Sequence, residues 1–133
     1  MKPTIAETLR QLLCALGTSI RNRVAEGRES MSTETLATVA NQSIADTIYT
    51  IDKFGEEAIE EWFDRHWPSS EPVEVVMEGP QETQCFPQGT RVTDTKWKCL
   101  LDPIDGTRGI MYDKRSAWAL SGIAPQRGSA TRL

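Results

Sequence analysis

A chain of 133 residues that is 38% hydrophobic and 26% charged, with a formal net charge of −4, has the make-up of one ordinary soluble globular domain. The mild acidity and the scatter of Lys and Arg along the chain exclude the basic strip with interleaved aromatics that a nucleic-acid partner requires. Cys14, Cys85 and Cys99 are odd in number and form no Cys-x-x-Cys pair, which excludes a disulfide framework and a zinc site and reads as reduced thiols in the cytoplasm.

In chain order, Ile5, Leu9, Leu12, Leu13, Leu16, Ile20 and Val24 recur at three and four, so the spacing predicts a long first helix that Thr4 caps. Arg10, Gln11, Arg21 and Arg23 interrupt that apolar stripe, so it is neither a signal peptide nor a membrane span. Asn41-Gln42-Ser43 matches a glycosylation pattern only formally, in a chain with no export signal. Ala45 to Ile51 alternates enough to predict a strand or hairpin arm. Phe54, Ala58, Ile59 and Phe63 then mark a second amphipathic helix, whose other face carries Glu56, Glu57, Glu60, Glu61 and Asp64. Five carboxylates without neutral ligands on a surface helix read as a solvated face rather than a metal site. The single histidine, His66, lies between Arg65 and Trp67 near that helix end, where a packed or dipole-facing imidazole is expected and a Ser-His-Asp mechanism has no support.

Val73 to Met77 reads as a buried strand leading to Glu78, followed by a loop from Gly79 to Gly89. Trp97, Cys99, Leu100 and Leu101 make a second buried strand, and Pro103 is expected to bar further pairing, which leaves Asp102 and Asp105 at the strand's C-terminal mouth. These carboxylates are three apart around the proline, so a turn brings both to one point, where they raise a pKa or require a cation. Oxygen ligands of this kind favour Mg2+ or Mn2+. Gly106 allows a backbone geometry closed to other residues, and the amides of Gly106 and Thr107 then face an anion, above all where a helical turn starts there. The bland reading is an Asp-Pro turn followed by an Asp-Gly turn with solvated carboxylates. A phosphatase motif of the Asp-x-Asp-x-Thr type fails, because it needs its acids two apart. Ala117 to Ala124 completes the series as a strand beside this one.

At Asp102-Pro103-Ile104-Asp105-Gly106-Thr107 the chain resembles the inositol monophosphatase family, the Mg2+-dependent, lithium-sensitive sugar phosphatases, whose central metal motif is matched at all six positions. Val75-Val76-Met77-Glu78-Gly79 resembles the family's upstream strand and glutamate, although Gly79 stands where a second glutamate is common. Asp46-Thr47-Ile48-Tyr49-Thr50-Ile51-Asp52 resembles a further segment ending in the aspartate that pairs with the motif threonine. Taken alone, Asp52 reads as an exposed cap at a helix N-terminus and Glu78 as a turn residue. The resemblance implies that Glu78, Asp102 and the carbonyl of Ile104 hold one metal ion, that Asp102 bridges to a second ion held also by Asp105, and that Thr107, oriented by Asp52, positions and helps deprotonate the attacking water. No covalent phosphoenzyme is required.

The expected architecture is an α/β layered (α+β sugar-phosphatase) domain, N-terminal helices packed on a mixed β-sheet, with residues 1–133 forming the metal-binding N-terminal portion of a longer, apparently truncated family domain and the C-terminal layers absent. The distal aspartate that the family supplies to its second metal has no match in this sequence. The expected function is Mg2+-dependent hydrolysis of a small polyol, sugar or nucleotide phosphate ester, with no membrane or nucleic-acid partner and a homodimer by family habit. The alternative is a catalytically incomplete short form that binds metal or pairs with another subunit. In either case the strand bearing Trp118 is expected to expose an apolar edge.

Overall fold

Thr4 begins the first helix as its sequence predicts: its hydroxyl accepts the Glu7 amide at 3.2 Å and its carbonyl accepts the Thr8 amide at 2.9 Å. The computed structural model describes residues 1–38, 44–78, 83–111 and 114–133; Asn41-Gln42-Ser43 and Gly79 lie outside the described residues. Helix α1 runs Ile5–Thr38 and α2 runs Ile44–His66. Leu9, Leu16, Ile20 and Val24 are buried, whereas Ile5, the first residue of α1, stays exposed. No helix among the described residues is long and apolar enough to cross a membrane.

The segment Ala45 to Ile51 is helical and opens α2, which corrects the strand expectation. Its short alternation competes with a longer period: Ile44, Ile48 and Ile51 extend backwards the spacing of Ala58, Ile59, Trp62 and Phe63, and a period sustained over many turns decides the structure. Asp52 consequently lies inside a helix rather than at its N-terminus.

Among the described residues four strands follow: β1 (Val73–Met77), β2 (Gln84–Phe86), β3 (Trp97–Asp105) and β4 (Trp118–Pro125). They form one mixed sheet in the order β2-β1-β3-β4, with β1 and β3 parallel and the outer pairs antiparallel. Strand β2 lies within the segment expected to be a loop; three residues are too few to show a period, and its place is set by pairing, with Phe86 opposite Val73. The expected strand at residues 117–124 is β4, lying beside β3.

Alternate strand residues build the core. Val73, Val75, Met77, Cys99 and Leu101 share one apolar cluster with Leu16, Ile20, Ile51, Ile59 and Phe63 from the helices. Phe63 stacks on Phe86 at 4.9 Å between ring centroids, which fixes the end of α2 over the outer edge of the sheet. Trp67, just past α2, donates its indole N–H to the Glu71 carbonyl at 2.6 Å, and Trp97 donates its own to the Glu71 carboxylate at 2.8 Å, so one short loop anchors two tryptophans. His66 is exposed in the last turn of α2, with its ring centroid 5.5 Å from that of Trp62. On the opposite sheet face Glu74 is buried and held by Lys98 at 3.3 Å and by the Gln126 amide at 2.6 Å. Leu100, Trp118 and Leu120 are exposed, so the apolar surface expected near Trp118 is present.

The three cysteines are free thiols, Cys14 exposed, Cys85 half-buried and Cys99 buried. Burial pushes the Cys99 thiol up to about 12, because a thiolate in the core forfeits its hydration. Iodoacetamide at neutral pH is therefore expected to label Cys14 quickly and to leave Cys99 unmodified until denaturant is added; peptide mapping by mass spectrometry reads this, and rapid labelling of Cys99 in the native protein would contradict the packing of β3.

Candidate active site

The site is built where the two parallel strands end. Met77 pairs with Leu101, and the Glu78 amide donates to the Leu101 carbonyl at 3.0 Å, so Glu78 stands abreast of Asp102 at the C-terminal ends of neighbouring strands. Beyond Asp102 the β3–β4 ladder shifts register: Asp102 lies opposite Leu120 and Asp105 opposite Trp118, which leaves Pro103 and Ile104 facing the single residue Ala119. This is a two-against-one bulge, and it holds the proline, which has no N–H to give to a ladder. Pairing thus lapses at Pro103 and resumes at Asp105 rather than ending there. The bulge swings the chain so that the Asp102 carboxylate accepts the Ile104 amide at 3.2 Å.

Gly106 then adopts φ +94°, a conformation that a side chain at this position disfavours, and turns the chain into the single-turn helix α3 (Thr107–Met111). The helical turn foreseen after the glycine is present, and Gly106 and Thr107 stand at its head, where first-turn amides lack intrahelical partners. Thr107 reaches across to α2: its hydroxyl oxygen lies 2.8 Å from the Asp52 carboxylate and 3.2 Å from the Ile104 carbonyl. A hydroxyl has one proton, and the shorter, charge-assisted bond to Asp52 takes it.

A cavity of about 380 Å³ gathers these groups, lined by Asp52, Glu56, Glu78, Asp102, Pro103, Ile104, Asp105, Gly106 and Thr107. Every residue singled out from the sequence for this site is in its wall. Glu56 was assigned to the solvated face; the structure brings it to the cavity, while Glu57, Glu60, Glu61 and Asp64 remain exposed on the outer face of α2. The signal for Glu56 was its place one helical turn after Asp52, which carries meaning only once Asp52 is inside the helix.

The Glu78 carboxyl is held above the usual carboxylate range, chiefly by its hydrogen bond with Asp102 and the negative charge of that residue, with Asp105 and Asp52 adding to the repulsion. A proton on Glu78, or a cation beside it, relieves this repulsion. Since the folded chain holds this proton more firmly than the unfolded chain does, the pair favours folding below the ordinary glutamate range, and that contribution is lost as pH rises through the raised value. Replacing Asp102 by Asn removes the repelling charge, so the Glu78 side-chain carbonyl signal followed by NMR is expected to titrate at lower pH in Asp102→Asn than in the parent chain. An unchanged midpoint would mean that the two groups do not interact.

Among the described residues, no three acids, histidines or cysteines converge closely enough to hold an ion as the chain stands. The donor set nevertheless fits a hard cation in kind: oxygen atoms only, with a touching acid pair in need of positive charge.

No family model matches the sequence, and no curated relative does. Among solved structures, the chain is similar to the crystal structure of inositol monophosphatase II from Staphylococcus aureus MSSA476, with 20% sequence identity and a TM-score of 0.58 over 89% of this chain. The matched part is 37% of the length of that protein. The helices and the mixed four-stranded sheet of this chain therefore have the inositol monophosphatase fold, over the portion of it that the chain spans.

Proposed function

We propose that the chain carries the metal-holding and water-positioning part of a Mg2+-dependent phosphomonoesterase acting on a small polyol, sugar or nucleotide phosphate. The observation that supports this most is the meeting, in one cavity, of the Asp52–Thr107 pair from α2 and α3 with the acids Glu78, Asp102 and Asp105 from two parallel strand ends. A merely solvated turn has no reason to recruit a helix residue far away in sequence to orient its threonine. Glu78, Asp102, Asp105 and the carbonyl of Ile104 would hold Mg2+, with Mn2+ as a substitute. When bound, the cation would neutralise phosphate charge and acidify water.

The remaining chemistry belongs to the chain's own residues. Asp52 accepts the Thr107 proton, which turns the free lone pairs of the Thr107 oxygen outward to accept a hydrogen bond from water and aim it at phosphorus. The Gly106 and Thr107 amides face the phosphate oxygens. Positioning and charge neutralisation then carry the rate, as phosphoryl transfer requires.

A second reading, a metal-binding or subunit-pairing protein without turnover, draws support from the exposed Leu100, Trp118 and Leu120 on the open sheet face. Phosphate release from a panel of small phosphate esters, with and without Mg2+, separates the two. Release that needs Mg2+, falls with lithium and vanishes in Asp105→Asn is the expected result; no release from any ester, with Mg2+ binding intact, would favour the second reading.

A further inference from the structure

Helix α2 meets the bulge of β3 at a residue with no side chain. Gly55 is buried and follows Asp52 by one turn, so the two face the same way. A Cβ added at Gly55 would stand 3.1 Å from Cβ of Pro103, and 3.4 and 3.5 Å from Cδ1 and Cγ1 of Ile104. The nearest of these atoms belongs to a proline ring seated in the bulge, and it cannot swing aside. Glycine inside a helix is unfavourable relative to alanine, so its presence there calls for a reason. Gly17 in α1 provides the contrast, because nothing lies within 4 Å of where its Cβ would be.

We propose that Gly55 is a positioning residue for the Asp52–Thr107 pair: its bare backbone lets α2 settle against Pro103 and Ile104 at the depth from which Asp52 reaches the Thr107 hydroxyl. That bond, at 2.8 Å, tolerates little retreat, since O–H···O hydrogen bonds fall between about 2.5 and 3.0 Å. An added methyl group pushes the helix outward by a few tenths of an ångström, and Asp52 moves with it. Only the kinetic part of the test rests on the hydrolytic function proposed above.

The test is a double-mutant cycle read by urea unfolding. In the parent chain Thr107→Val is expected to lower the folding equilibrium constant roughly three- to tenfold, as a lost hydrogen bond does. In the Gly55→Ala background the same change is expected to cost less than about twofold, because the bond is already stretched and weakened. In the Gly17→Ala background it keeps its full effect. Equal losses in all three backgrounds would overturn the proposal. So would failure of Gly55→Ala to fold, since the glycine would then serve packing at large rather than this one contact. For hydrolysis, Gly55→Ala is expected to lower kcat with KM unchanged, the pattern of a misplaced water-orienting pair; a change in KM alone would also count against it. If the parent chain releases no phosphate, the functional reading falls while the unfolding cycle still decides the role of Gly55.

Discussion

Asp102→Asn is expected to abolish Mg2+ binding and, with it, Mg2+-dependent phosphate release, while leaving the fold in place. Asparagine has nearly the same shape, and its side-chain oxygen can still accept the Ile104 amide, now 3.2 Å from Asp102, so the bulge that shapes the site persists. What disappears is the charge at the centre of the acid group, the residue in direct contact with Glu78. Loss of groups that only support a metal ligand commonly weakens binding about 10- to 100-fold, so loss of a residue proposed as a ligand itself is expected to exceed that range. Calorimetric titration with Mg2+ measures it, and circular dichroism establishes that the variant is folded. Binding equal to that of the parent chain would remove Asp102 and its neighbours from any metal assignment.

The second large effect is kinetic. Thr107→Val preserves the branched shape of the side chain and deletes only the hydroxyl that Asp52 holds. On the function proposed above Thr107 orients the attacking water, and loss of such a group is worth about 10²- to 10⁴-fold, so kcat is expected to fall by that amount with KM little changed. Asp52→Ala is expected to cost about as much, and the double variant no more than either alone, because the two residues act as one unit. Steady-state kinetics on the three variants decides this. Additive losses would mean that Asp52 and Thr107 serve the site separately.

Much of this site was legible in the sequence because its chemistry is local. Asp102, Asp105, Gly106 and Thr107 sit within a few residues of one another, and a proline and a glycine punctuate the turn between them. Glu78 was legible only through the family resemblance, since an acid after a buried apolar run, taken alone, reads as a turn residue. The helical start of α2 was not, because Ala45 to Ile51 is short enough to satisfy either period and only its continuity with the turns that follow favours helix. That single misreading hid Glu56: an acid four residues past Asp52 shares its direction in a helix and loses that relation when the helix begins later. Strand β2 was hidden because three residues carry no period, and its position is a matter of pairing with β1. Gly55 was visible only as a glycine inside a helical pattern, and the sequence could not say what it accommodates, since the proline ring comes from another element.

The parallel pairing of β1 with β3 makes chemistry and stability hostages to the same alignment. Glu78 and Asp102 are neighbours only because Met77 lies opposite Leu101. A slip of one residue would set Leu101 beside Glu78 and turn Asp102 inward toward Ile59 and Phe63, where a carboxylate without partners costs several kcal/mol to bury. Such a slip would lose the core and the acid pair together, so a variant that keeps this register keeps the scaffold of its site as well.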